Sequence, residues 1–311
     1  MRAHVAGLMP DDRPLHVLDV AGTRPRARDG VTFHRWSAPL LPRHLLVADD
    51  DVLCLGPEAL MMELGRHLDD TSLLMLGFEL CGTYRIDPAY EAGFARCEPL
   101  ATPGSVQRAL DECSGAHGTA RLRHVLPHLT GGSASPMETA LALLAGLPRR
   151  DGGLGAPKPL LNHRIDPGRR WRSSADRGHY ACDLYWPDRR VALEYDSDLF
   201  HTGGERISGD ARRRGALQAM GVTVLTATRG QLYRRRDFLR LMEALRRALR
   251  LRSRASGRDH VERQERLRRL VLGLDQDPDS LPWIVRHGER PAIAHEVVAD
   301  VRPRPQSLVD K

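Results

Sequence analysis

Between Val191 and His201 the chain reads VALEYDSDLFH. Glu194, Asp196 and Asp198 crowd into five residues, and His201 follows them. A further carboxylate, Asp183, lies upstream in YACDLYW. Acids held close together are costly unless a cation sits among them. Mg²⁺ is suited to that place, because it takes oxygen ligands and keeps several waters. Bound there, it polarises a phosphoryl oxygen and acidifies an attacking water. The other reading of these acids is an ordinary solvated strand end. An imidazole titrates near neutral pH, so His201 is open to a proton-transfer role or a structural one.

The elements around these residues decide whether they can meet. Val191, Leu193 and Tyr195 alternate with Ala192 and Glu194, which suits a strand. HYACDLYWPDRRVALEYDS then reads as a hairpin turning at Pro187-Asp188, with Asp183 on one strand and Glu194 on the next. Such a hairpin brings both carboxylates to one end of a sheet. Upstream, SPMETALALLAGLP is expected to be a helix. Ser135 stands at its cap, Pro136 in its first turn, and Glu138 as capping-box partner or ligand. PLLNHRI is expected to be a strand, DARRRGALQAMG a helix ended by Gly221, and VTVLTAT another strand. RRRDFLRLMEALRRALRLR is expected to be a basic helix that buries Phe238, Leu241, Leu245 and Leu249 on one face. The order is helix, strand, strand, strand, helix, strand, helix, an α/β core with a mixed sheet. Trp171 and Trp186 read as packing residues.

YACDLYWPDRRVALEYDSDLFH followed by DARRRGALQAMGVTVLTAT resembles the very-short-patch-repair-like branch of the PD-(D/E)XK endonuclease superfamily. That branch places an aspartate on one strand, Glu-x-Asp on the next and then a histidine. The resemblance covers about residues 133–250, well under half of the chain. It implies a restriction-endonuclease-like core, with Asp183 and Glu194 as ligands of Mg²⁺ (or Mn²⁺) and the Tyr195 carbonyl as a backbone ligand. Asp196 stands where most of the superfamily has its lysine; the chain's two lysines are Lys158 and Lys311. His201 is then implied as base or phosphate contact, and Glu138 matches the acid on the helix before the first core strand. The chain departs from the branch at Ser197, where relatives carry a glycine that permits positive φ.

Charge is unevenly spread. Residues 1–132 hold 13 Arg and 17 Asp/Glu, a net −4, whereas the remainder holds 34 basic and 23 acidic residues, a net +11. The basic part has an electrostatic reason to meet DNA. Arg213, Arg214, Arg246, Arg247 and Arg250 are its candidate phosphate contacts. The alternative for Arg213 and Arg214 is an ion pair with Asp210 one helical turn away.

TGGSAS, 130–135, reads as a linker, giving an α+β N-terminal domain over 1–132 and a nuclease-like domain over 133–254. A helical extension and a disordered tail are expected over 255–311. The N-terminal domain shows no catalytic constellation and is expected to hold a protein partner or a regulatory role. No apolar run is long enough for a membrane. The five cysteines at 54, 81, 97, 113 and 182 form no CxxC pair. A reduced, cytoplasmic protein is expected. The expected function is a divalent-metal-dependent endonuclease. One alternative is a catalytically inactive nucleic-acid-binding or regulatory protein of a defence or toxin–antitoxin type; the other is a structural partner protein.

Overall fold

The computed structural model describes residues 15–20, 22, 29–36, 39–49, 52–166, 179–196, 204–252 and 257–274. Trp171, Ser197, Asp198, His201 and the tail from 275 lie outside the described residues. The fold is mixed α/β. The described residues form two compact units, the first within 15–73 and 104–126, the second within 74–103 and 127–274.

In the first unit, β1 (Leu15–Asp19) and β2 (Val31–Arg35) pair in parallel. Strands β3 (Leu45–Asp49) and β4 (Val52–Leu55) form an antiparallel hairpin. Helix α1 (Pro57–Leu64) follows, with Pro57 at its first position, where its fixed φ suits a helix start. Helix α2 (Asp70–Leu80) runs on into the second unit. Helices α3 (Pro103–Glu112) and α4 (Thr119–Val125) complete the element set, with Leu110 and Leu122 fully buried.

The second unit contains a short hairpin, β5 (Tyr84–Ile86) with β6 (Phe94–Arg96). The TGGSAS segment does not run as an open connector. Thr83 donates its N–H to the Ser133 carbonyl at 2.7 Å, Gly132 donates to the Cys81 carbonyl at 2.9 Å, and Ser133 is fully buried. Close approach explains the small residues: a Cβ on Gly82 would stand 2.7 Å from the Ser133 carbonyl oxygen.

Helix α5 (Pro136–Gly146) is buried along almost its whole length, from Glu138 to Ala145. Its apolar residues therefore show no one-sided stripe. Strands β7 (Leu160–Ile165), β8 (Tyr180–Trp186) and β9 (Val191–Asp196) follow. Helix α6 (Gly204–Ala219) then leads to β10 (Thr223–Thr228). The four strands form one sheet in the order β10-β9-β8-β7. The pairs β7/β8 and β8/β9 are antiparallel, and β9/β10 is parallel. A parallel neighbour needs a crossover, which α6 supplies. Gly221 ends that crossover at φ +78, the left-handed value glycine adopts without strain.

Leu217 of α6 packs with Tyr180, Cys182, Tyr185, Ala192 and Val222. The basic segment after β10 is split in two: α7 (Arg229–Tyr233), capped by Thr228, and α8 (Arg235–Ala248). Phe238, Leu241 and Leu245 are buried on α8, and Leu249 just beyond it, as the apolar spacing requires. Helix α9 (Arg258–Val271) is the expected extension. Its Arg268 is buried and donates to the Leu232 and Tyr233 carbonyls at 2.8 and 3.0 Å. Trp186 packs as expected, 2% exposed, with its indole N–H on the Pro157 carbonyl at 2.6 Å. No helix among the described residues is long and apolar enough to cross a membrane.

Candidate functional site

The β8/β9 ladder pairs Trp186 with Val191, Tyr185 with Ala192 and Leu184 with Leu193, and stops there. The next residues on each strand are Asp183 and Glu194. Beyond the ladder, the Asp183 side chain takes over from the backbone: its Oδ2 accepts the Tyr195 N–H at 2.8 Å. The strands thus part where the acids begin, and among the described residues no hydrogen bond reaches Oδ1 of Asp183.

On the neighbouring strand, β7 is interrupted at Asn162, which has φ +46 and drops out of the otherwise regular pairing with β8. The irregularity frees the Asn162 side chain to donate to Glu138 Oε2 at 2.6 Å and to the Gly132 carbonyl at 2.9 Å. Glu138 in turn accepts the Ala134 N–H on Oε2 at 2.8 Å and the Ser135 hydroxyl on Oε1 at 3.1 Å. Ser135 caps α5 by accepting the Glu138 N–H at 3.2 Å. Glu138 is therefore a helix-start residue and a member of the acidic site at once. Below it, Ser133, Thr139 and Tyr84 link their hydroxyls at 2.9 Å each.

Glu194 is gripped by Arg213 of α6, with Nη1 to Oε2 at 3.0 Å and Nη2 to Oε1 at 2.7 Å. Arg213 also donates to the Ala181 carbonyl. Only 13% of the Glu194 side chain is exposed. Burial pushes Glu194 up to about 7 against the pull of Arg213, and the Asp183 charge adds to the rise. Burial likewise pushes Glu138 up to about 7, with Asp183 again adding to it. Asp183 is itself raised, mainly by burial. The three carboxylates form one electrostatic cluster with Asp183 at its centre. All three hold protons more firmly than free acids do, the signature of a site short of positive charge.

The remaining expected residues are dispersed. Asp196 ends β9 opposite Thr228 of β10. Lys158 does not act for the superfamily lysine: its ammonium donates to the Leu129 carbonyl at 2.8 Å, and burial lowers its pKa. Arg213 is spent on Glu194, whereas Arg214 is exposed and contributes only its charge to Glu194. Arg246 is held by Glu243 at 2.7 and 2.9 Å and by the Leu251 carbonyl at 2.8 Å. Arg247 shares Glu243 but is 74% exposed, and Arg250 is exposed.

The first unit holds two groupings that the sequence does not announce. His34, Glu63 and His67 bring their donor atoms within 4.8 Å of one another. The spacing of Glu63 and His67 was a visible signal, but His34 is remote in sequence. Cys113, His44 and Glu112 also line up, with Sγ to Nδ1 at 3.6 Å and Nε2 to Oε2 at 3.1 Å. Cys113 is fully buried and its thiol is pushed up by burial, so it is an inert core residue, not a nucleophile.

No family model and no solved structure matches the chain. Two uncharacterized proteins of Mycobacterium tuberculosis, one from strain CDC 1551 / Oshkosh and one from strain ATCC 25618 / H37Rv, are each 31% identical to it over 123 residues. The match covers 39% of this chain and 40% of each relative, so the chain spans about two fifths of the relatives' length.

Proposed function

We propose that the chain is a divalent-metal-dependent endonuclease of PD-(D/E)XK type, cleaving DNA with the second unit's four-stranded sheet. The observation that carries this reading is the Glu138–Asp183–Glu194 cluster, Glu138 buried and the other two half-buried, at the parting ends of β8 and β9. Its element context, helix, three antiparallel strands, helix, parallel strand and helix, agrees with it.

The donor set suits a hard cation: carboxylate oxygens with raised pKa values, beside the Tyr195 backbone, whose N–H meets Asp183. Asp183 and Glu194 would hold Mg²⁺ or Mn²⁺, with the Tyr195 carbonyl. When bound, the ion supplies charge to a scissile phosphate and a more acidic water. Glu138 orients the site from α5, through Asn162 and the Ser135 cap. Asp196, at the end of the same strand, and His201 are assigned the proton-handling roles. Arg247 and Arg250 are assigned the phosphate backbone, and residues 1–132 a protein partner or regulatory role in a cytoplasmic protein.

The grip of Arg213 on both oxygens of Glu194 favours a second reading. There the arginine replaces the metal, and the domain binds nucleic acid without cutting it. Supercoiled plasmid separates the two. Incubation with Mg²⁺ or Mn²⁺ is expected to give nicked or linear product, abolished by chelator and by Asp183→Asn, with DNA binding retained. Nicking that survives Asp183→Asn refutes the assigned site. Tight binding without cleavage in any divalent metal selects the second reading.

A further inference from the structure

We propose that His34, Glu63 and His67 form a second metal site, selective for a zinc-type divalent transition ion and independent of the acidic cluster. His34 lies on β2, Glu63 near the end of α1, and His67 four residues further on. His34 Nδ1 stands 3.2 Å from Glu63 Oε1, and His67 Nε2 stands 3.8 Å from the same oxygen. Donor atoms around a tetrahedral zinc, with bonds of 2.0–2.1 Å, sit about 3.3 Å apart. The observed separations straddle that value. The His67 side chain is 50% exposed, so its imidazole can close the remaining gap by rotation.

The neighbour of His34 points to the same use. His34 Nε2 is 2.7 Å from His16 Nδ1. When Nε2 carries the proton and donates to His16, the lone pair of His34 Nδ1 faces the Glu63 carboxylate. This is the outer hydrogen bond that fixes a metal-binding imidazole in its tautomer. Two lone pairs at 3.2 Å need a positive charge between them. A proton can serve one such pair. Here a second imidazole is aimed at the same Oε1, and one cation serves all three donors. The Glu63 side chain is 8% exposed, and Arg66 Nη1 fixes its orientation, at 3.3 and 3.5 Å from the two oxygens and 3.2 Å from the Arg35 carbonyl. Two imidazoles and a carboxylate match zinc and its first-row neighbours, not Mg²⁺. Three protein donors leave a fourth position for water.

The test uses the full chain, stripped with chelator, titrated calorimetrically with Zn²⁺ and followed with Co²⁺ by visible absorption. Asp183→Asn serves as the background, so that the acidic cluster does not contribute. One equivalent of Zn²⁺ is expected there, unaffected by a hundredfold excess of Mg²⁺. Adding His67→Ala should remove it without changing the melting temperature of the stripped protein, because His67 is half-exposed. His16→Ala should weaken it by about 10–100-fold, the usual effect of losing an outer hydrogen bond. A full equivalent retained in the His67→Ala protein, or no Zn²⁺ bound in the background, overturns the proposal. Plasmid nicking depends on Asp183 and not on His67, so either reading can fail alone.

Discussion

Replacing Asp183 with Asn should stabilise the cation-free protein at pH 8 and abolish its response to Mg²⁺. Glu138 and Glu194 each ordinarily titrate near 4.5 and stand at about 7 in the fold. At 1.36 kcal/mol per pH unit, keeping each of them ionised above that point costs about 3 kcal/mol. Burial is the larger cause for both, and Asp183 raises both further. Asp183 is the lesser cause in both, so Asn should recover a minor part of the combined penalty, roughly 1–2 kcal/mol, or about 3–6 °C in melting temperature. The amide oxygen of Asn can still accept the Tyr195 N–H, so the strand ends should hold. The sign follows from proton binding: between pH 4.5 and about 7 the folded state holds more protons than the unfolded one, so stability falls as pH rises. The gain from Asn is therefore absent below 4.5 and complete above 7. Melting curves at pH 4 and pH 8 in chelator measure it. The cation works in the opposite direction, adding about 2.7 kcal/mol to the wild type at a hundred times its Kd and nothing to the variant. An Asn variant less stable than wild type at pH 8, or equally stabilised at pH 4, would refute this electrostatic account.

Arg213→Ala leaves Glu194 without its ion-pair partner. Partial exposure of the pair discounts the usual cost of breaking a buried pair to about 1–3 kcal/mol in urea unfolding at pH 8. The loss should shrink at pH 5, where Glu194 takes a proton; an equal loss at both pH values would make packing the cause. Asn162→Gly keeps the positive φ but loses the bonds to Glu138 and Gly132, for an expected cost of about 1–2 kcal/mol in the same assay, whereas Asn162→Val adds strain and should cost more. Arg247→Ala with Arg250→Ala should reduce the slope of log affinity for DNA against log salt by about 1.8, and Arg246→Ala by much less. An unchanged slope in the double variant would assign that face to solvent.

The hairpin, its neighbours and the amphipathic α8 were legible because their signals are local: alternation, apolar spacing, Ser135 before Pro136, and Gly221 after a helix. Glu138 was legible only as two alternatives, because a capping partner and a site acid share the same three-residue spacing. The structure shows the cap, with the Asn162 amide and the Asp183 charge acting on the same carboxylate. Asn162 and Arg213 carried no comparable signal. Asn162 matters because it breaks a strand from within, and nothing in PLLNHRI marks the break. Arg213 looked like a surface residue because its partner lies on β9, not one turn along its own helix. The strand at Leu15–Asp19 pairs in parallel with Val31–Arg35, so no tight turn between them marks it in the sequence. TGGSAS looked like a linker because small polar residues serve open connectors and close backbone approaches equally well.

Arg213 also bears on how such a cluster survives folding with no metal bound. Three carboxylates raised by burial, two of them further by Asp183, would without compensating charge press the β8 and β9 ends apart or remain protonated. The bidentate guanidinium meets Glu194 with two short bonds, while Asp183 keeps only one oxygen on a backbone N–H. The compensation is thus uneven among the described residues: Glu194 has a bidentate ion pair, and Asp183 has a backbone N–H and only the charge of Arg213. A cation entering beside Asp183 would relieve the group that raises both neighbours, without first displacing the arginine from Glu194. The ion pair and a metal at Asp183 are for that reason compatible, and the grip of Arg213 does not by itself decide against catalysis.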